Sequence, residues 1–267
     1  MNDIADNFNS IYIKLQGSNR EVREQSIRLM LYAKDLSLYH EKLQSAYRDT
    51  INRLVVAAEY KDEDTGDHIV RISRYCTLIA EKLGLSSTDV WLIKCAAPMH
   101  DVGKIGIPDS ILMKTGKLTD EEFEIIKTHT IIGSNILANS DADILQMAQK
   151  IAISHHEKWN GLGYPHDLSG ERIDLAGRIV CLADTFDALI SKRPYKDPYP
   201  LEVVCNIISN ERGKHFDPQI VDIFLGNIDE IVTIKNEVDS SKNIALSDFL
   251  WSERDRLEDA SRPTSPI

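Results

Sequence analysis

The sequence contains few of the features that mark secreted or membrane-spanning proteins. Its 267 residues include four cysteines with no CxxC pair, and each lies among apolar neighbours. That setting favours buried free thiols in a reducing cytosol over disulfides. No apolar run approaches the roughly 20 residues that span a bilayer, and the N-terminus MNDIADNF is acidic and polar, unlike a signal peptide. We therefore expect a cytoplasmic protein without membrane insertion.

Basic residues are in deficit. The chain has 31 Lys and Arg against 42 Asp and Glu, which gives a formal net charge of -11 and an isoelectric point near 5.2. This balance argues against a nucleic acid polymer or an anionic membrane surface as the main partner. A small anionic ligand in a locally basic pocket stays compatible with it, and bound cations would neutralise part of the acidic excess.

Sustained strand patterns and internal repeats are also missing, and helical periodicity dominates. With 42% hydrophobic residues, the chain can bury a substantial core. We predict an all-α fold in three parts: an N-terminal helical extension over residues 1–50, one domain over residues 51–228, and a C-terminal segment over residues 229–267 with a disordered tail. Thr119 and Glu122 predict a capping box at the start of one helix. The predicted helices of the domain cover residues 68–83, 88–100, 119–137, 143–157, 175–191, 201–210 and 218–225.

The N-terminal extension contains a row of apolar side chains. Residues 18–59 include neither Gly nor Pro, and helix-forming residues dominate there. The apolar positions alternate at three- and four-residue steps, which is the heptad spacing of a coiled coil. Two interpretations remain open, a homodimeric coiled coil and a single amphipathic helix that packs on its own domain. The row consists of Leu29, Tyr32, Leu36, Tyr39, Leu43 and Ala46.

Histidines and carboxylates gather in short clusters along the rest of the chain. These residue types bind divalent first-row metal ions, and there are too many of them for one tetrahedral ion. The pattern predicts a buried polynuclear metal site, and such sites hydrolyse phosphate esters. The clustered residues are Asp64, His68, His100, Asp101, His129, His155, His156, Glu157 and Asp184.

Two of these clusters follow apolar segments. His100 and Asp101 close the segment 91–99, and an aspartate is rarely buried unless it is paired or bound to a metal ion. His155 and His156 follow a second apolar run in the same way. Adjacent side chains on a helix point about 100 degrees apart, so each pair suits two ions better than one. Taken alone, the two histidines also fit one core residue and one surface residue.

Each of the remaining clusters, taken alone, also fits a role without a metal ion. Asp64 and His68 fit an exposed polar stretch, and His129 fits a satisfied core histidine. Asp184 interrupts an apolar run and Asp187 follows three residues later, so an acid here needs a partner, for which a cation is the first candidate. The conjunction of the clusters, rather than any one of them, predicts the metal site.

Taken in order, these residues resemble the HD superfamily of metal-dependent phosphohydrolases, and within it the HD-GYP branch. The likeness runs from about Asp64 to Pro218, which is well over half of the chain. The resemblance implies an all-α HD-superfamily helical bundle, here with the N-terminal extension added. The matching motifs are His68, His100-Asp101 with Lys104, Gly106-Ile107-Pro108, Gly116-Lys117-Leu118, His129, His155-His156-Glu157, Gly163-Tyr164-Pro165, Arg178 to Asp184, Arg193 to Lys196, and Phe216-Asp217-Pro218.

The resemblance also implies a function and a set of site residues. It implies a bacterial cyclic di-GMP phosphodiesterase that yields the linear dinucleotide, GMP or both, with iron or manganese as the first candidates for its ions. Aspartate stands at position 64, where members with a third ion carry glutamate, so two ions or three remain open. The implied metal ligands are Asp64, His68, His100, Asp101, His129, His155, His156 and Asp184, with Asp101 bridging, and the implied substrate contacts are Lys104, Tyr164, Arg193 and Lys196.

These roles suggest a mechanism and leave two alternatives. A water held between two divalent cations loses a proton near neutral pH and attacks phosphorus in line. Asp101 would hold both ions, and Lys104 would face the same phosphate as a point charge and assist the leaving oxygen. One alternative keeps the ions and changes the substrate to another nucleotide or cyclic dinucleotide. The other is a signalling module that binds cyclic di-GMP without hydrolysing it.

Overall fold

The computed structural model describes residues 2–59, 61, 66–192 and 197–240, and this part of the chain is predominantly helical. Its only β-type pairing is two isolated bridges, Asn160 with Ser169 and Arg212 with Phe216. The predicted all-α fold is therefore confirmed. The helices are α1 (Asn2–Glu59), α2 (Gly66–Lys82), α3 (Ser87–Ala96), α4 (Asp109–Leu112), α5 (Asp120–Lys127), α6 (His129–Leu137), α7 (Asp143–Ser154), α8 (Leu175–Ile190), α9 (Leu201–Asn210), α10 (Pro218–Gly226) and α11 (Ile228–Ser240), with 3₁₀ turns at Ala97–Met99, Val102–Gly106 and Gly170–Arg172.

The chain divides into two compact units, residues 1–50 and residues 51–267. The first unit is the N-terminal part of α1, and its apolar side chains are exposed to solvent; Leu36, for example, is 71% exposed. The absence of Gly and Pro accounts for its unbroken helix. Among the helices that the structure describes, none combines the length and the apolar character needed to cross a membrane.

Helix α8 lies at the centre of the second unit. Its residues Ile179, Val180, Leu182, Ala183 and Phe186 are all completely buried. The helix is apolar around most of its circumference because α2, α7, α9 and α10 pack against it. Its N-terminus is capped by an aspartate side chain that accepts a hydrogen bond from the backbone two residues on. The central helix thus gives its neighbours a common surface on which their ends can converge.

The predicted helix over residues 119–137 was wrong in one respect, because it is two helices. The predicted capping box is confirmed: Thr119 Oγ1 accepts from the Glu122 backbone at 3.2 Å, and the Glu122 carboxylate accepts from the Thr119 backbone at 2.8 Å. The first helix ends at Lys127, and the hydroxyl of the next residue, Thr128, donates to the Ile125 carbonyl at 2.6 Å and competes with the helical bonds. The interruption makes His129 the first residue of α6.

Helix α11 lies where the apolar periodicity weakens after residue 229. Ile231 and Val238 are its two buried apolar residues, and the helix packs on α2. Much of the remaining contact is ionic, with Lys82 of α2 paired to Glu230 at 2.6 Å. Five of its thirteen residues are apolar and only two of these are buried, so its apolar face is narrow, which is why the sequence did not predict this helix.

Two backbone segments approach each other closely at Gly103. A methyl group at this position would lie 1.9 Å from the carbonyl oxygen of His129 and 2.4 Å from the nitrogen of Gly133. Only glycine lets the 3₁₀ turn Val102–Gly106 rest directly on α6. This contact brings the segment that carries Asp101 beside His129.

We expect Gly103→Ala to destabilise the protein by about 3 kcal/mol, because backbone atoms rather than a flexible side chain must move to make room. Urea unfolding of the full chain measures the change. Gly116→Ala is the matched control, since a methyl group there meets no atom within 4 Å. Equal unfolding midpoints for the two variants would contradict the close approach.

Candidate metal centre

The predicted ligands converge in two adjacent groups. Within each group, one ligand atom from every residue lies within 4.8 Å of the others. The structure therefore brings together seven of the eight predicted metal ligands, and Asp64 lies outside the described residues. The first subsite consists of Asp101, His129, His155 and His156, and the second subsite consists of His68, His100 and Asp184.

Helix ends supply most of these side chains. His155 and His156 follow the last residue of α7, and His100 follows the 3₁₀ turn that extends α3. His129 begins α6, while Asp184 lies within α8. Because the apolar bodies of the helices bury themselves against one another, the polar residues at their ends are carried into the interior with them.

Three of the histidines are oriented by the backbone that immediately precedes them. In each, Nδ1 lies within hydrogen-bond distance of a backbone carbonyl three residues earlier, so Nδ1 must carry the proton. In the neutral form of each ring, the opposite nitrogen, Nε2, then carries a lone pair that faces the subsites. The donor and acceptor pairs are His100 with Ala97 at 3.0 Å, His129 with Ile126 at 2.7 Å, and His155 with Ala152 at 3.1 Å.

Several of the acceptor atoms thus oriented have no donor. Within the described part of the chain, His100 Nε2 and Asp101 Oδ1 are buried without a hydrogen-bond partner. The Nε2 atoms of His129 and His155 face each other at 3.4 Å. Buried lone pairs that meet without a proton between them are unfavourable unless a cation lies among them. Imidazole and carboxylate together suit a divalent first-row metal ion, so the residues present fit the predicted ions.

The carboxylate of Asp101 lies between the two subsites. Its Oδ1 is 3.2 Å from His129 Nε2 and 3.5 Å from His155 Nε2. Its Oδ2 is 3.2 Å from His100 Nε2 and 2.7 Å from Lys104 Nζ. Burial would raise the pKa of Asp101, but the charges of Lys104 and His100 hold it well below its usual value. One oxygen is therefore directed to each subsite, which is the geometry of a bridging ligand.

The histidines differ in their affinity for protons. Burial alone would lower the pKa of His100, yet the neighbouring Asp101 carboxylate raises it to about 9. Burial lowers the pKa of His156 well below its ordinary value, and His155 and His129 lower it further. A proton and a metal ion compete for the same nitrogen, so His156 is already in its ligand form at neutral pH, while an ion at His100 must displace a proton.

The loop with Gly163, Tyr164 and Pro165 packs on the metal centre. The ring of Tyr164 stacks on His156 with centroids 4.8 Å apart and planes inclined by 28°. Phe123 meets the same tyrosine edge-on at 6.4 Å, and the ammonium group of Lys127 lies 5.6 Å from its centroid. Tyr164 thus presents a half-buried aromatic ring beside the first subsite.

Glu157 holds this loop in place, a role that the sequence did not reveal. Its buried carboxylate accepts hydrogen bonds from the backbone of His166 at 2.7 Å and of Leu168 at 3.0 Å. A methyl group at Gly163 would lie 2.3 Å from the backbone nitrogen of Lys158, so the loop closes directly on the segment after His156. Glu157 adjoins the double histidine in sequence, and that adjacency was its only signal.

Asp187 has a partner other than the expected metal ion. Its carboxylate is 2.8 Å from His68 Nδ1 and accepts from Arg71 Nε at 2.6 Å. Burial would raise the pKa of Asp187, but these two partners lower it to about 2. No local pattern pointed to this pair, because Arg71 and Asp187 lie 116 residues apart in the chain.

The predicted substrate contacts are only partly described. Lys104 lies against Asp101, and Tyr164 lies against His156. Arg193 and Lys196 fall outside the described residues.

Comparison with known proteins agrees with this geometry. A family model for the HD domain matches residues 49–220. The chain is 41% identical over 228 residues to a cyclic di-GMP phosphodiesterase of Thermotoga maritima, covering 84% of this chain and 62% of that protein. It is 38% identical over 229 residues to the 3'3'-cGAMP-specific phosphodiesterase 2 of Vibrio cholerae, covering 84% and 44%. The chain thus spans about half of the length of these relatives.

One solved structure resembles the fold. The crystal structure of a cyclic GMP-AMP specific phosphodiesterase of Vibrio cholerae, V-cGAP3, aligns with a TM-score of 0.52 at 21% identity, covering 81% of this chain and 60% of that one. This similarity concerns the fold alone. Together with the family match, it leads to one conclusion: the chain belongs to the HD domain family, in the HD-GYP branch that its motifs resemble.

Proposed function

We propose that the chain is a metal-dependent phosphodiesterase that opens cyclic di-GMP to the linear dinucleotide, to GMP or to both. The observation that carries the proposal is the Asp101 carboxylate, which directs one oxygen to each of two histidine-rich subsites. The printed names of the relatives support the substrate class. A cytoplasmic location suits a substrate of this kind.

We infer that all eight predicted ligands take part, with Asp64 as the candidate ligand of a third ion and iron or manganese as the preferred metals. Divalent ions held there would lower the pKa of a water molecule and withdraw charge from the phosphate oxygens. The ligands themselves orient the ions: the Nδ1 bonds to backbone carbonyls hold the rings in place, and the buried setting strengthens each electrostatic contact.

Lys104 is the residue that we assign to the phosphate. Its ammonium group touches Asp101 at 2.7 Å and keeps 18% of its side-chain surface exposed, so it can face a ligand from the rim of the centre. There it would stabilise charge on the reacting phosphate and supply a proton to the leaving oxygen. Tyr164 offers a face on which a guanine can stack, and Arg193 and Lys196 are the proposed contacts to the second phosphate.

A hybrid cyclic dinucleotide is the second candidate substrate, because one relative is named for cGAMP at 38% identity. The test is a panel of cyclic di-GMP, cGAMP and mononucleotides with the full chain loaded with manganese or iron, with products separated by chromatography. Hydrolysis of cyclic di-GMP in preference to the others supports the proposal. Preference for a mononucleotide, or tight cyclic di-GMP binding with no turnover, contradicts it.

We expect Asp101→Ala to abolish both hydrolysis and metal loading, because the variant lacks the carboxylate that serves both subsites. Elemental analysis and product chromatography measure the two effects. Asp141→Ala is the control. Asp141 is exposed and lies just before the N-terminal end of α7, whereas His155 lies just after its C-terminal end. Full metal content with retained turnover in Asp101→Ala would rule out the bridging role.

We expect Lys104→Ala to keep its metal content and to lose hydrolysis by roughly 10²- to 10⁴-fold, as for the removal of a positioned proton donor. Steady-state kinetics with elemental analysis of the same sample separates the two properties. The control is Lys150→Ala, which lies on α7 with 59% of its side chain exposed. Unchanged kinetics in Lys104→Ala would exclude this residue from the reaction.

We also infer that α1 forms a homodimeric coiled coil. Apolar residues continue the heptad row toward the N-terminus at Phe8, Ile11, Leu15 and Val22, and each of them is more than half exposed. So long an exposed apolar row favours association with a second copy of the same helix.

We expect Leu36→Asp to shift the full chain from dimer to monomer in light scattering, because the two-fold axis would bring two buried carboxylates together. Leu38→Asp is the matched control, since Leu38 is also exposed but lies off the heptad row. A wild-type monomer, or dimers in both variants, would refute the coiled coil.

A further inference from the structure

His68 is held differently from the other ligand histidines whose Nδ1 contacts are described above. Its Nδ1 faces a side-chain carboxylate, that of Asp187, at 2.8 Å, where the others face backbone carbonyls three residues earlier in the chain. Both His68 and Asp187 are buried. A carboxylate partner orients a ligating imidazole and raises its basicity more than a neutral carbonyl does. The second subsite therefore relies on a contact between two helices, α2 and α8.

Asp187 is in turn gripped by Arg71. The guanidinium donates from Nε to Oδ1 at 2.6 Å and from Nη2 to Oδ2 at 2.8 Å, a two-point contact between buried groups. The Oδ2 atom serves both Arg71 and His68, so rotation of the carboxylate would weaken both contacts. A fork of this kind holds a carboxylate in one plane.

The chain of contacts continues to the surface. Arg71 Nη1 donates to Asp239 Oδ1 at 3.0 Å, and Asp239 lies in the last turn of α11 with 39% of its side chain exposed. Four side chains thus form a chain of contacts from solvent to the second subsite, in the order Asp239, Arg71, Asp187 and His68. We name this set the relay.

We propose that Asp187, Arg71 and Asp239 are positioning residues that hold His68 for the ion of the second subsite, so that occupancy of this subsite depends on the docking of α11. The inference rests on the proposed metal centre. It does not depend on which phosphodiester the centre hydrolyses.

The two subsites differ in which contacts hold their histidines. In the first subsite, His129 and His155 are held by carbonyls within or immediately before their own helices, and α11 contributes nothing to those contacts. Loosening the relay should therefore weaken the ion of the second subsite and leave the first ion bound. A general loss of stability would weaken both ions together.

The ion pairs between α2 and α11 provide a matched pair of variants. Asp239 contacts Arg71 and belongs to the relay, whereas Glu237 contacts Arg74, which lies nearer to the surface of the same helix. Asp239→Ala and Glu237→Ala each delete an ion pair between the same two helices, and Asp239→Ala also deletes the pair of Asp239 with Lys235 within α11. Only the first deletes a contact that leads to His68.

The experiment titrates the full chain with Mn²⁺ and follows both affinities by calorimetry and the coupled two-manganese signal by electron paramagnetic resonance. We expect Asp187→Asn to weaken the second ion by about 10- to 100-fold. Asp239→Ala should weaken the same ion by about two- to fivefold, as for the loss of a partly exposed ion pair. In both variants the first affinity stays and the coupled signal fades, and Glu237→Ala matches the wild type.

Other results overturn the inference. Equal effects of Asp239→Ala and Glu237→Ala, equal weakening of both ions, or wild-type affinities in Asp239→Ala would each remove the relay. So would a wild-type chain that binds fewer than two ions. A wild-type chain that binds two ions with the expected variant pattern, yet hydrolyses no cyclic dinucleotide, would support the relay and contradict the proposed function, which keeps the two failures distinguishable.

Discussion

Buried acceptor atoms that face one another are the constraint on which the rest of this structure depends. The Nε2 lone pairs of His129 and His155 and the oxygens of Asp101 crowd into one region, and hydrogen bonds cannot satisfy them all. Positive charge among these atoms offsets that repulsion. The helix ends that create the crowding are therefore complementary to divalent cations, and folding and metal binding become coupled.

Local patterns account for what the sequence predicted well. Helical periodicity revealed most helices of the domain, and the order of the histidine and carboxylate motifs, through the family resemblance, identified the residues that converge. The rest depends on tertiary contacts. The break at Thr128 follows from a side-chain hydrogen bond that a continuous apolar pattern conceals, and α11 is held by ion pairs to α2 together with two buried apolar residues. The partner of Asp187 could not be inferred, because Arg71 lies 116 residues away in the chain.

The loop that names the family branch has a structural role in addition to any contact with substrate. Glu157 accepts two backbone hydrogen bonds from the loop, and Gly163 lets it close on the chain just after the double histidine. Tyr164 then stacks on His156 and limits where that ring can move. A change in this loop would therefore alter a proposed metal ligand and a proposed substrate contact at once, and loss of activity in such a variant would not by itself identify a substrate contact.

The two subsites differ in chemistry as well as in support. Asp101 directs an oxygen to each subsite. Besides Asp101, the first subsite offers three imidazoles, whereas the second offers two imidazoles and the carboxylate of Asp184. Imidazole-rich sets bind the later first-row metals more strongly, and carboxylate-rich sets suit manganese. The second subsite is thus the weaker of the two by composition. It is also the one in which a carboxylate, Asp187, strengthens a ligand histidine from behind, which is the arrangement expected where the inner ligands alone bind less tightly.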